Sequence, residues 1–392
     1  MPALIFMPWV GCAATIELDQ LLLAPYERHQ KSSDICGIAK STVDAILGSY
    51  GDPTLSTPGP NARPVQHATL AIWKGAGDSE VDDAAIMARL AQMQYVVFAA
   101  LANRNLFAHM GYCNTDACRV VAQRFDPANP GRLAVTHRRR DGNGMHYLGD
   151  STAPRFIRST HIGNSIRLNI EPALVNALLR MPLGTTKDNI DGAIGVFLNA
   201  NTDSPAVLER TEVVLTRIAF ETLLETNHET AELRKSFAAH FRGEVPTDVE
   251  WGSGQLNERT WRDRWSANVA RPLDAWVQDF CSSRNAAAHG PKAAHMPPVW
   301  STHNHLLFAS ALFPRMVKKV LADAGLYSLS VEDRAWRKGF EAFFAHDISG
   351  RVDPQKPECW WSKVEGEMLG DIWLDEVFRP MVQKHLDDLG SA

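Results

Sequence analysis

Arg284 and Asn285 stand side by side, and His289 follows five residues after the arginine, in the string Arg284, Asn285, Ala286, Ala287, Ala288, His289, Gly290. A guanidinium, an amide and an imidazole at this spacing suit a phosphodiester. The guanidinium holds the phosphate, the imidazole moves a proton, and the amide orients either one. The residues before them say what carries them. Leu273, Trp276, Val277 and Phe280 recur every three to four positions, the period of an amphipathic helix. Gly290 and Pro291 then end it. On such a helix Asn285 and His289 lie one turn apart on one face, with Arg284 about 100° around from Asn285. These groups suit RNA cleavage.

A second helix should pack beside this one and carry Glu221. Burying a carboxylate amid an apolar stripe is costly unless it is paired, and Arg284 is its expected partner. A solvated position on a wide amphipathic helix is the alternative. The string Arg104, Asn105, Leu106, Phe107, Ala108, His109 repeats the motif's spacing. Phe107 places a large apolar group where the other copy has Ala287, which favours a buried turn there. His295, His303 and His305 read as surface or N-terminal residues of the helix that follows the motif.

This organisation resembles the HEPN superfamily, and specifically its Apea-like branch, whose signature is Arg-Asn-x-x-x-His. The likeness runs from about residue 188 to about residue 327. Ala193 to Leu198 are followed by Glu209 to Leu224, similar to that domain's first long helix, and Trp300 to Leu321 match the long helix after the motif. The resemblance implies an all-α up-down bundle, commonly dimeric, and a metal-independent endoribonuclease with Arg284, Asn285 and His289 in the catalytic positions. One motif supplies one imidazole, so a two-fold dimer with a composite site would supply both acid and base. It implies RNA as substrate, tRNA included, and a defence role arresting phage-infected cells on a phage-derived trigger. A non-catalytic HEPN-type binding or antitoxin-like module is the rival from another class.

Composition narrows the setting. The chain has 392 residues, formal net charge -5 and 45% hydrophobic residues, enough for two domains or three small ones. A net negative protein acting on RNA needs a local basic patch. Between Gly131 and Arg167 there are seven Arg against two Asp, and this stretch includes His137, Arg138, Arg139 and Arg140. The last three are the candidate RNA contacts. Six cysteines are scattered without CxxC spacing, so no metal site is expected and the thiols read as reduced in a cytoplasmic protein. Neither a P-loop nor a His-Glu-x-x-His is present, and no cofactor is implied. The apolar opening reads as a strand rather than a leader. No run approaches the roughly 18 apolar residues of a membrane span.

The chain therefore reads as α+β in three parts. Residues 1–185 form a strand-containing domain that senses a trigger or positions substrate. Residues 186–330 form the helical bundle, and residues 331–392 a helical extension packed on it. Leu4 to Val10, Ala13 to Leu23 and Ala68 to Trp73 are the expected strands, and residues 51–60 a loop on Gly and Pro content. Residues 80–102 and 171–180 read as helices, and residues 130–170 as short strands or irregular structure. Breaks are expected at residues 243–246 and 251–254, and a final helix over residues 373–389. Most of Trp261, Trp265, Trp276, Trp300 and Trp336 read as core. Trp360 and Trp361 are the better candidates for an interaction surface.

Overall fold

The computed structural model describes residues 1–53, 62–75, 82–102, 115–139, 142–149, 153–159, 162, 166–202, 204, 206–240, 272–290, 300–330, 333, 374 and 378–390. The fold is α+β and divides into two units. The first comprises Met1–Asn103, Asn114–Arg180 and Thr202–Ser204. The second takes Met181–Asn201 and the chain from residue 205 onward.

The first unit is built on one antiparallel sheet. Its strands are β1 (Ala3–Met7), β2 (Val10–Gly11), β3 (Ile16–Glu17), β4 (Leu21–Glu27), β5 (Asp34–Ile35), β6 (Ile38–Ala39), β7 (Tyr50–Pro53), β8 (Ala62–Pro64), β9 (His67–Trp73), β10 (Val121–Asp126), β11 (Asn129–Arg139), β12 (Gly142–Leu148), β13 (Phe156–Ile157) and β14 (Ile166–Arg167). Seven of them form the main sheet in the order β12-β11-β10-β1-β9-β4-β3. Four consecutive residues of the central strand β1, Leu4 to Met7, are buried. A strand buried on both faces carries a continuous apolar run rather than an alternating one. Helix α1 (Lys40–Leu47) packs on the sheet through Val43, Ile46 and Leu47, which join Leu4, Phe6, Leu70 and Leu133 in one core. Helix α2 (Asp83–Ala102) lies against α3 (Pro172–Arg180). Among the described helices α2 alone is long and apolar enough to cross a membrane by length and composition, and half of that stretch is buried inside the protein. Arg89, Gln92 and Gln94 interrupt it, so it is not an unbroken apolar run.

Three expectations change. Residues 51–53 belong to β7, between β13 and β8, so that stretch is not all loop. A Cβ on Gly51 would come within 2.6 Å of Pro154 Cβ, so glycine serves a close approach there rather than a turn. Strands β11 (Asn129–Arg139) and β12 (Gly142–Leu148) pair along a long antiparallel ladder where short strands or irregular structure were expected. Helix α1, eight residues long, had no place in the sequence reading.

The second unit, among the described residues, is helical: α4 (Thr185–Ala200), α5 (Glu209–Leu223), α6 (Thr230–His240), α7 (Pro272–His289), α8 (Thr302–Asp323) and α9 (Arg379–Gly390). Helix α5 is central, packing against α4, α7 and α8. Its Phe220 ring meets Phe237 at 5.0 Å, Phe313 at 5.4 Å and Phe280 at 6.4 Å between centroids. Phe197 stacks on Phe313 at 4.3 Å. These aromatic contacts tie five helices into one cluster. The expected breaks between residues 243 and 254, and the span 334–373 of the extension, lie outside the described residues. Helix α9, over Arg379–Gly390, falls on the expected final helix.

Candidate functional site

Helix α7 begins with Pro272, whose missing N–H costs nothing at a first helical position. Leu273, Trp276, Val277, Phe280 and Cys281 are buried, and the same three-to-four spacing next reaches Arg284. A guanidinium thus occupies the position where the apolar stripe runs out. The helix stops at His289 because Gly290 takes φ +90°, with its N–H bonded to the carbonyl of Ala286. Glycine makes that left-handed turn without steric cost.

The three motif residues share the last two turns. Arg284 and Asn285 are half-buried and His289 is exposed. Arg284 donates from Nη1 to Asn285 Oδ1 at 3.1 Å, while its buried Nε has no hydrogen-bond partner. Among the described residues no carboxylate pairs with this guanidinium. An unneutralised, half-buried cation favours an anion beside it.

Glu221 lies on α5, which packs against α7, but its partner is not Arg284. Arg217, one turn earlier on α5, donates from Nε to Glu221 Oε1 at 2.7 Å. This corrects the expected pairing, and its physical reason is proximity: an i,i+4 partner on the same helix faces the carboxylate directly. Cys281 on α7 adjoins both helices' charges. Burial raises its thiol's pKa, whereas Arg217 and Arg284 pull it down and Glu221 pushes it up.

Sequence reasoning missed a buried pair between α7 and α8. Asp279 is completely buried, and its Oδ2 accepts from the backbone N–H of Trp300 at 3.0 Å and lies 3.0 Å from His305 Nε2. His305 is also completely buried, its ring near Phe280 (5.6 Å), Trp276 (6.0 Å) and Trp300 (6.2 Å). The surface assignment for His305 is therefore corrected, whereas His303 is exposed and His295 lies outside the described residues. Asp279 fixes the approach to α8 five residues ahead of Arg284. The available signal was a carboxylate placed among Trp276, Val277, Phe280 and Cys281, with a histidine leading straight into Leu306, Leu307 and Phe308.

The basic run is placed only in part. Arg138 and Arg139 lie on β11 of the first unit, opposite Asn143 and Gly142 of β12. Arg140 lies outside the described residues, as do Arg104 to His109 and Trp360 with Trp361. Arg284, Asn285, His289 and Glu221 all belong to the second unit.

No family model, no curated protein and no solved structure matches this chain.

Proposed function

We propose that the end of α7 is a phosphodiester site and that the protein is a metal-independent endoribonuclease of HEPN type. The observation that carries the reading is Arg284: a half-buried cation at the end of a core stripe, braced by Asn285, with no carboxylate against it among the described residues. Its exposed neighbour on the same helix end is a histidine. In the proposed reaction His289 takes the proton from a ribose 2′-hydroxyl. The 2′-oxygen forms a bond to the adjacent phosphorus as the bond to the 5′-oxygen breaks, leaving a 2′,3′-cyclic phosphate. The 5′-oxygen leaves as a hydroxyl, protonated by a second imidazole from the partner in a two-fold dimer. Arg284 steadies the charge that builds on the phosphoryl oxygens, a contact whose loss costs about 3 kcal/mol in comparable sites. Asn285 orients Arg284. Arg138, Arg139 and Arg140 add basic residues for the RNA backbone. In a cell this activity fits arrest of phage-infected bacteria.

The test uses purified full-length protein on bulk tRNA and mRNA in EDTA. Cleavage is expected for wild type and abolished by His289→Ala and by Arg284→Ala without loss of helical signal, because neither truncation opens a core cavity. A substrate with a 2′-deoxy scissile nucleotide stays intact, and light scattering gives a dimer. Cleavage that survives His289→Ala refutes the mechanism. Wild type that is inert on every RNA leaves a non-catalytic binding module.

A further inference from the structure

Strand β12 lies at one end of the seven-stranded sheet and, among the described residues, pairs on one side only, with β11. Sheet edges are ordinarily guarded against unwanted pairing by a charged side chain or a proline. In β12, Gly142–Leu148, there is neither, and the strand exposes Met145 (47%) and Tyr147 (56%). An edge left in this state is a contact surface.

The ladder says what such a surface suits. Tyr147 stands opposite Ala134 and Met145 opposite Thr136, and strand alternation puts Arg132 and Arg138 in the same row of β11 as Ala134 and Thr136. Arg132 is therefore the diagonal neighbour of Tyr147, within reach of a long side chain. Its guanidinium lies over the Tyr147 ring, 5.4 Å from the centroid. Asp126 approaches Arg132 only to 4.0 Å, and 52% of the arginine side chain stays in water, so this pair neutralises it weakly. Strands β11 and β12 together carry Arg132, Arg138 and Arg139 and no acidic residue, in a chain of net charge -5. The edge of a second copy would set the same arginines against these, and like charges oppose that pairing. A flexible polyanion with flat rings meets both features, its phosphates beside the arginines and an unpaired base on the tyrosine. We propose that this face of β11 and β12 binds single-stranded RNA, with Tyr147 as the stacking platform for a base and Arg132 holding the backbone beside it. That RNA rather than DNA is the occupant rests on the reading of the protein as an endoribonuclease.

Fluorescence anisotropy of the full-length protein tests it, with a labelled oligouridylate of about 12 nucleotides, 2′-O-methylated so that it resists the proposed cleavage. Tyr147→Ala should weaken binding by about tenfold or more, whereas Tyr147→Phe, which keeps the ring, should bind within about twofold of wild type. Arg132→Gln should weaken binding about fivefold and make it less dependent on salt. Annealing the oligonucleotide to its complement should weaken binding about tenfold, because the base faces are then stacked against one another. Tyr147 and Arg132 are exposed, so these variants should keep the wild-type circular dichroism. The proposal is overturned if Tyr147→Ala binds as wild type does, if Tyr147→Phe loses as much as Tyr147→Ala, or if the matching oligodeoxyribonucleotide binds more tightly. It is equally overturned if Tyr147→Ala changes the oligomeric state in light scattering while RNA binding holds, which assigns the edge to a second copy. RNA cut by wild type, with oligonucleotide binding indifferent to Tyr147, refutes this proposal and leaves the reading of Arg284. An oligonucleotide held through Tyr147 while no RNA is ever cut refutes the reaction and leaves this face. Wild type that neither binds nor cuts refutes both.

Discussion

Replacing Asp279 by alanine removes the one carboxylate oxygen that serves both the Trp300 N–H and the His305 ring, each at 3.0 Å. All of it happens where Asp279 and His305 are completely buried and Trp300 is 1% exposed. Two buried donors would lose their acceptor, at about 1–3 kcal/mol each, against some relief from no longer burying a carboxylate. The truncation leaves His305 enclosed by Trp276, Phe280 and Trp300 with neither ring nitrogen paired, since Nδ1 has no partner already. Breaking such a pair by removing one member costs about 3–5 kcal/mol. Asp279→Asn, which keeps an acceptor in place, should cost no more than about 1–2 kcal/mol. Urea unfolding followed by tryptophan fluorescence reports on this directly, because Trp276 and Trp300 line the cluster. The interaction also predicts non-additivity: Asp279→Ala with His305→Phe should cost clearly less than the sum of the single changes. A cost below about 1 kcal/mol for Asp279→Ala, or strict additivity in the cycle, would refute the claim that this pair fastens α7 to α8.

Two further outcomes follow from titratable groups. Burial pushes Asp333 upward, but Lys318 at 2.8 Å, the Ser330 N–H and the Tyr327 hydroxyl together bring its carboxyl below the usual value. A depressed folded-state pKa contributes stability that is present above the unfolded value of about 4 and is lost as pH falls through the folded one. Asp333→Asn should therefore flatten the acid side of the melting-temperature profile below about pH 4, and an unchanged slope there would count against the network. Burial raises the thiols of Cys12 and Cys281 and pushes Cys118 up to about 12, whereas Cys36 is exposed. Iodoacetamide at pH 8 should thus label Cys36 in native protein and reach the other three only after unfolding. Rapid native labelling of Cys281 would contradict its packing between α5 and α7.

Much of the fold was legible where periodicity and punctuation agreed. The stripe from Leu273 to Phe280 with Gly290 behind it located α7 closely, and Glu209 to Leu224 located α5 to within a residue. The errors fall where a tertiary neighbour decides. The strand expected over Ala13 to Leu23 stops short of Pro25, yet β4 runs through it to Glu27. Strand β3 pairs with β4 only at Leu22 and Leu23, so at Pro25 the sole ladder partner is Thr69 of β9 and a missing N–H is tolerated on the open side. Gly51, Asp52 and Pro53 have the composition of a loop and form a strand because β8 pairs with all three and β13 pairs with Gly51 on the other side.

The site divides along the same line. Arg284, Asn285 and His289 are neighbours in sequence, so one helix suffices to bring them together and the string alone could place them. Partnerships between helices carry no such local mark. His305 meets Asp279 across 26 residues, and its own helix marks it only by the buried run Leu306, Leu307 and Phe308 that follows it, without naming the partner. Glu221 was misassigned for the opposite reason. Its partner was sought across the helix contact, at Arg284, when Arg217 stood one turn away on the same helix. A charge met inside an apolar stripe should first be offered the residues three and four positions away, because these pairs cost no chain closure. Applied to α7, that rule leaves Arg284 without a carboxylate: its neighbours at three and four positions are Phe280, Cys281, Ala287 and Ala288. A half-buried cation that its own helix does not neutralise, and that no carboxylate among the described residues pairs with, favours an anion beside it.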